Sequence, residues 1–380
     1  MIKTLLSIIL TVLFGTALVA QETADKEKYS AFHFGFTYPI STNGLRAYEY
    51  NNGASINLLA GISNSEKAFV LGGLGNIVRA DINGVAFAGL VNFAGGKTKG
   101  LAFAGLTNAS MQGSAGVAFA GLLNLNGGET KGLTFAGLTN ASMQGSAGVA
   151  FAGLVNFNNK ASKGLAFAGG MNLTNGAFGG VQFAGLANVA RNVSGWQFAG
   201  LVNVAKKVKG IQIGGLMNVA DSSDYAVGIV NLIGNGEKTV ALVYDELGNV
   251  TATFRSGGKT LYGIVGAGYG TDGGTSLVTE AGIGANVHLG SKWRLNNDLT
   301  SGYILAKRAV HKNSYTLWLA WRASSLIEVA AGTGINYLYT NNPQNINVFP
   351  SHSFWKNYTD NKLQQIFAGY KLSLRMRIKQ

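Results

Sequence analysis

From about residue 54 to residue 231 the chain alternates bulky apolar positions with small ones, inside a phrase that keeps returning. Residues 84–92 read Gly-Val-Ala-Phe-Ala-Gly-Leu-Val-Asn, and the phrase recurs at 100–108, 116–124, 132–140, 148–156, 164–172, 180–188, 195–203 and 210–218. The opening glycines are 16 residues apart six times, then 15 apart twice, with looser copies at 56–64, 68–76 and 225–231. A fixed period of this size marks a chain built from one supersecondary unit used many times. Within a unit, Leu101, Phe103, Gly105 and Thr107 fall on one side, and Ala102, Ala104, Leu106 and Asn108 on the other. Side chains alternate sides along a strand, so the pattern predicts strands. A helix would carry two or three interior glycines per unit, at roughly 1 kcal/mol each.

Beyond residue 238 the repeat disappears but the alternation becomes clearer. Stretches 240–244 and 250–255 flank Glu246-Leu-Gly-Asn249, a hairpin signal. Leu277, Ile283 and Val287 face away from Glu280, Asn286 and His288, and Leu295, Leu299 and Tyr303 face away from Arg294, Asn296 and Asp298. In Tyr315, Leu317, Leu319 and Trp321 aromatics bracket leucines, as on a lipid-facing strand with an aromatic at each interface. The last strand sets Tyr370, Leu372, Leu374 and Met376 against Lys371, Ser373, Arg375 and Arg377. These strands predict a membrane β-barrel whose polar interior holds Glu280, His288, Arg294, Asp298, Arg322, Glu328, Lys371, Arg375 and Arg377. An earlier strand, with Phe32, Phe34, Phe36 and Tyr38 on one face, stops at Pro39.

Two all-β architectures fit the repeats. In the first, each unit is one spanning strand of a continuous antiparallel transmembrane barrel of about 20 strands. Basic linkers (Lys97 and Lys99, Lys131, Lys160 and Lys163) alternate with neutral ones (109–115, 141–147), as turns at opposite ends of a meander would. In the second, each unit is a coil of a β-solenoid, with Leu101, Phe103 and Leu106 inside, a corner at Ala104-Gly105 and Asn108 stacked in a ladder, followed by a smaller C-terminal barrel of about eight strands. A one-residue slip swaps the faces of a strand, and the short copy at 225–231 is easier to accommodate at a corner. The continuous barrel is the expectation adopted, with the solenoid as its alternative.

Composition narrows the class. Residues 1–20 begin with a basic Lys3, run apolar from Leu5 to Val19 and end in Ala20, a signal peptide in outline. The expected layout is then a lead-in and first strand at 21–53, the repeat region at 54–235 and barrel strands at 236–380. Hydrophobic residues make up 47% of the chain and charged ones 12%, against about a quarter charged in soluble domains. No later apolar run approaches the roughly 18 residues of a spanning helix. The absence of cysteine removes disulfides, thiol catalysis and cysteine–metal sites. The net charge is +13, and much of it lies in linkers, including Arg191, Lys206, Lys207 and Lys209. Charges dispersed over an exported chain do not make a nucleic-acid stripe. The expected partners are outer-membrane lipid and, through the basic linkers, lipopolysaccharide.

The units Gly195-Trp-Gln-Phe-Ala-Gly-Leu-Val-Asn-Val-Ala205 and Gly210-Ile-Gln-Ile-Gly-Gly-Leu-Met-Asn-Val-Ala220, with Tyr38-Pro-Ile-Ser-Thr-Asn-Gly44 ahead of the repeats, resemble a family of surface-repeat-containing proteins of Gram-negative bacteria. The likeness covers most of residues 30–240. It implies an outer-membrane or cell-surface location and supplies no activity and no site residues. The first six units depart from it, with Ala or Thr where later units have Gln182, Gln197 and Gln212.

Candidate chemistry is sparse. Gly96-Lys97-Thr98 and Gly258-Lys259-Thr260 resemble the end of a phosphate-binding loop, but the required earlier glycine is Val91 in one and Thr253 in the other. The histidines His33, His288, His311 and His352 lack metal-ligand spacing. His288 with Glu280 is the one acid–histidine cluster to inspect. No catalytic residue, cofactor or metal site is expected. The expected function is a non-enzymatic outer-membrane protein, structural or a passive pore with a basic lumen; the alternative is a surface-exposed adhesive or protective repeat module anchored by a C-terminal barrel.

Overall fold

The computed structural model describes residues 28–258, 260–270, 276–305, 309–341, 350, 352–359 and 361–378. The expected signal peptide and the start of the lead-in, residues 1–27, lie outside the described residues. Strands hold 78% of the described residues and helix 2%. The alternation is therefore strand throughout.

The chain folds as a parallel β-solenoid of about eleven turns followed by a closed eight-stranded antiparallel barrel. The continuous barrel is thereby corrected. Neighbouring repeats pair in parallel, with Gly100 beside Gly116 and Phe103 beside Phe119, and Gly116 beside Gly132 in the next turn. A meander would have paired them antiparallel. Each turn contributes two strands, such as Gly113–Ala120 and Leu123–Asn126, joined by a bend at Gly121-Leu122. Every linker consequently stacks along the same edge, and the basic–neutral alternation does not sort linkers to two compartments. The strand Lys28–Thr37 pairs in parallel with Tyr50–Ser63, so it belongs to the solenoid. The shortened copy is absorbed by a register shift between Val208 and Ile211.

The faces of the coil are the reverse of the solenoid expectation. Ala102, Ala104 and Asn108 are buried, whereas Leu101 and Leu106 are exposed and Phe103 half-buried. The asparagines dictate this parity. Asn108 Nδ2 donates to Asn124 Oδ1 at 3.1 Å, to the Phe119 carbonyl at 2.7 Å and to the Ala102 carbonyl of its own turn at 3.4 Å. One short amide thus spans the interior from strand to strand, leaving room for alanine and none for a layer of Phe and Leu. The ladder runs unbroken from Asn76 to Asn231 with links of 2.8–3.1 Å. Gln182, Gln197 and Gln212 form a shorter ladder beside it. Outside, Phe87 through Phe198 stack ring on ring, with centroids 4.6–5.2 Å apart. Glycine recurs because the backbones touch. Gly100 has φ +113°, and a Cβ on Gly121 would lie 2.0 Å from the Gly105 carbonyl oxygen.

The barrel strands are Glu237–Asp245, Asn249–Gly257, Leu261–Gly270, Ser276–His288, Trp293–Leu305, Ala309–Arg322, Ile327–Asn341 and Lys362–Arg377, with the last pairing back to the first. Its outer wall carries Leu242, Leu277, Leu299, Leu319, Leu372 and Leu374, all exposed. Its inner positions carry charges and amides. Chain entry at Glu237 and exit after Arg377 lie at one end, with the connections 289–292 and 323–326. The opposite end carries the turn 246–248, and the edge strand Trp355–Thr359 pairs with Lys362–Arg377.

The last solenoid turn sits end-on against the outer wall of the barrel. The Asn231 amide nitrogen donates to Ser256 Oγ at 2.8 Å, and its side chain donates to the Ser256 carbonyl at 3.0 Å, so the asparagine ladder terminates on the barrel. Outward-facing Ser256 is fully buried there, while outward-facing Val250 on the same strand is exposed. Gly263 is needed at the contact: a Cβ would lie 2.0 Å from the Gly228 carbonyl oxygen.

Candidate functional site

An eight-stranded barrel encloses a space that side chains just fill, and here the filling is ionic. Asp298 accepts from Arg255 at 2.8 Å, from Trp318 Nε1 at 2.7 Å and from the Tyr262 hydroxyl. Glu328 bridges Arg294 at 2.8 Å and Arg375 at 3.0 Å. Glu237 bridges Arg294 at 2.7 Å and Arg377 at 2.9 Å nearer the mouth. Lys312 pairs with Asp245 at 2.7 Å and Glu246 at 3.1 Å towards the other end. The guanidinium of Arg375 lies 4.8 Å from the centre of the Trp318 ring, and that of Arg255 5.5 Å. Alternation along the strands places these groups inward, and closure of the sheet brings strands distant in sequence within reach. A buried charge persists only when paired and hydrogen-bonded. Arg255, Arg294, Arg375 and Lys312 meet that condition by alternating signs with their acidic partners.

Of the residues expected in the lumen, Arg294, Asp298, Glu328 and Arg375 are joined directly or through a shared partner, and Arg377 closes the network at the mouth. Lys371 is buried, and Glu280 and Arg322 are half-buried. His288 is a correction: it ends its strand exposed, opposite Arg294, and does not meet Glu280. Eight residues of extended chain separate the two, about 26 Å at 3.3 Å per residue. The expectation of a basic lumen is also revised, because Glu237, Asp245 and Glu246 bring acid to balance the arginines. These three were missed, together with Arg255, Lys312, Tyr262 and Trp318. Strand parity could have found Lys312, which shares its face with Ser314, Thr316 and Trp318 once the strand is extended back to Ala309.

The space left is small. The cavity among Glu237, Arg255, Tyr262, Arg294 and Arg375 measures about 20 Å³, room for one water or so. Side chains fill this part of the lumen.

Two other groups of polar side chains lie outside the lumen. On the outer wall Ser301 Oγ lies 3.0 Å from His311 Nε2, a serine–histidine contact. The other ring nitrogen faces the Asn313 amide at 3.5 Å, where a hydrolytic triad would place an orienting acceptor. The backbone N–H groups of both strands are engaged in the sheet and do not converge as an oxyanion hole. In the first turns of the solenoid, Glu66 is buried among Ser55 at 2.8 Å and Asn52 at 3.2 Å. Burial pushes its carboxyl up to about 7, against the hydrogen bonds, which lower it. Among the described residues no group of His, Asp and Glu could hold a metal ion. Comparison with protein-family models, with curated proteins and with solved structures gives no match to this chain.

Proposed function

We propose that this is a non-enzymatic outer-membrane protein in which a plugged β-barrel anchors a repeat solenoid. The single observation that carries the reading is the inversion of the barrel, with leucine and aromatic side chains outside and paired charges inside. Water outside would favour the opposite arrangement, and lipid outside favours this one. Trp293 and Trp321, paired at one end of the outer wall, and Tyr303, towards the other end, suit aromatic belts. The filled lumen argues against a passive pore. The repeat module is then the working part, and its regular surface suits structural, adhesive or protective contact better than catalysis.

Fractionation of Gram-negative cells expressing the full chain tests this reading. The protein should remain with the outer membrane after carbonate washing and run faster unheated than heated on a denaturing gel. Recovery of folded protein in the soluble periplasmic fraction would refute it. In planar bilayers the purified protein should give no stable conductance.

A further inference from the structure

The last turn of the solenoid does more than touch the barrel; it sets the depth of the whole array. Asp224 lies by Gly258, and Gly228 and Ile229 lie over Gly263. The chain then returns through Asn231 beside Ser256 to Gly236 beside Gly257. The strands of this turn therefore run along the barrel strands, on the outer wall, from the end at Gly257 and Gly258 inward to Gly263. The Gly228-Ile229 bend points towards the middle of the barrel wall, and the linker edge lies level with the barrel end. Parallel stacking propagates that orientation through every earlier turn, so the turns extend sideways from the wall.

The side-chain chemistry follows the same axis. Around the bend the outward groups are mostly apolar on both faces: Phe135, half-buried, before it, Leu138, exposed, at it, and Val155 and Phe157, half-buried, after the bend of the next turn, with Thr107 and Thr139 interrupting the second face. Leu154 at a bend is 53% exposed. At the opposite edge Lys99, Lys131, Lys163, Lys207 and Lys209 are exposed. The apolar stretch of strand from Leu133 to Ala136 rises about 10 Å at 3.3 Å per residue before the bend at 137–138 turns the chain. Half of a 30 Å hydrocarbon core is about 15 Å. About eleven turns at about 4.8 Å carry this profile some 50 Å from the barrel.

We propose that the solenoid is immersed edge-first in a single leaflet of the bilayer that the barrel spans, its Phe–Leu bends among acyl chains and its lysine edge among phospholipid phosphates. This rests on the reading of the barrel as membrane-spanning. Three features select a lipid leaflet as the occupant: continuity with the lipid-facing wall, an apolar height that fits within one leaflet, and basic charge at the level of anionic head groups.

The chain contains no cysteine, so single-cysteine spin labels report cleanly. Leu138→Cys and Leu154→Cys probe the bends, Lys131→Cys the basic edge and Leu319→Cys the barrel wall, in vesicles of phosphatidylethanolamine and phosphatidylglycerol. Accessibility to oxygen, which partitions into lipid, is compared with accessibility to a water-soluble nickel chelate. Labels at 138, 154 and 319 should all favour oxygen, and the preference should reverse at 131. Nickel-accessible bends with an oxygen-accessible 319 would overturn the immersed solenoid and leave the barrel reading standing. A nickel-accessible 319 would overturn both. Bends closed to both reagents would place protein, such as a second copy, on this edge and would also overturn the proposal.

Discussion

The asparagine ladder makes a sharp prediction, because one side chain holds both its own turn and its neighbours. Asn140 donates to the Phe151 carbonyl at 2.7 Å and to Asn156 Oδ1 at 2.9 Å, and it accepts from Asn124 Nδ2 at 2.9 Å. Truncation in Asn140→Ala leaves one amide N–H of Asn124 and the Asn156 carbonyl oxygen buried without their partners. Each orphaned group costs about 1–3 kcal/mol, so the local loss should be about 3 kcal/mol or more. Turns of a solenoid hold one another only through nearest neighbours, so the damage should stay local. Hydrogen exchange read by mass spectrometry, on protein in detergent micelles, should show peptides spanning 124–158 opening about 100-fold more readily, at 1.4 kcal/mol per decade. Asn76→Ala provides the control: it donates to Phe87 and Asn92, but no donor reaches its own oxygen, and its effect should be smaller. The double variant Asn124→Ala/Asn140→Ala should cost less than the sum of the single ones, since they share a bond. Exchange within threefold of the natural chain in the 124–158 peptides would refute the claim that the ladder holds the turns together.

Other outcomes follow from the same geometry. Gly137→Ala puts a Cβ 2.0 Å from the Gly121 carbonyl oxygen, so adjacent turns must separate and the yield of folded protein should fall sharply while the barrel still migrates as a folded species. Glu328→Gln leaves Arg294 and Arg375 short of the charge that bridges them; the barrel should lose about 3 kcal/mol or more, read as a lower urea midpoint in gel-shift assays. Glu66 titrates with a sign opposite to that of an ion-paired carboxylate. Its folded value, about 7, exceeds the ordinary 4.5, so its contribution is greatest below pH 4.5 and is lost as pH rises towards 7, by about 3 kcal/mol in all. Hydrogen exchange in the first turns, residues 50–78, should therefore accelerate over that range, and Glu66→Gln should flatten the dependence.

The sequence by itself determined the secondary structure and the repeating unit. Period-two alternation and glycines every 15 or 16 residues leave little but strands, and a chain that repeats its turns must repeat its fold. Inward and outward faces of the late strands were also legible, because charge on one side and leucine on the other admit few arrangements in a closed eight-stranded sheet. Parity does not say which strands meet across a lumen, however. Arg294 finds Glu328 and Arg375 finds Trp318 only once the sheet has closed.

For the repeats the tertiary structure decided more. Alternation is the same whether neighbouring units pair parallel or antiparallel, so a barrel and a solenoid write the same pattern into a single unit. Hydrophobicity alone pointed Leu101, Phe103 and Leu106 inward. The competing demand of the asparagine amides, which need partners on three sides, turned the coil inside out. Small residues and amides fill an interior one side chain thick, and the bulky groups are left outside. What those groups face depends on the last turn resting against the barrel wall at Ser256 and Gly263, a contact no periodicity encodes.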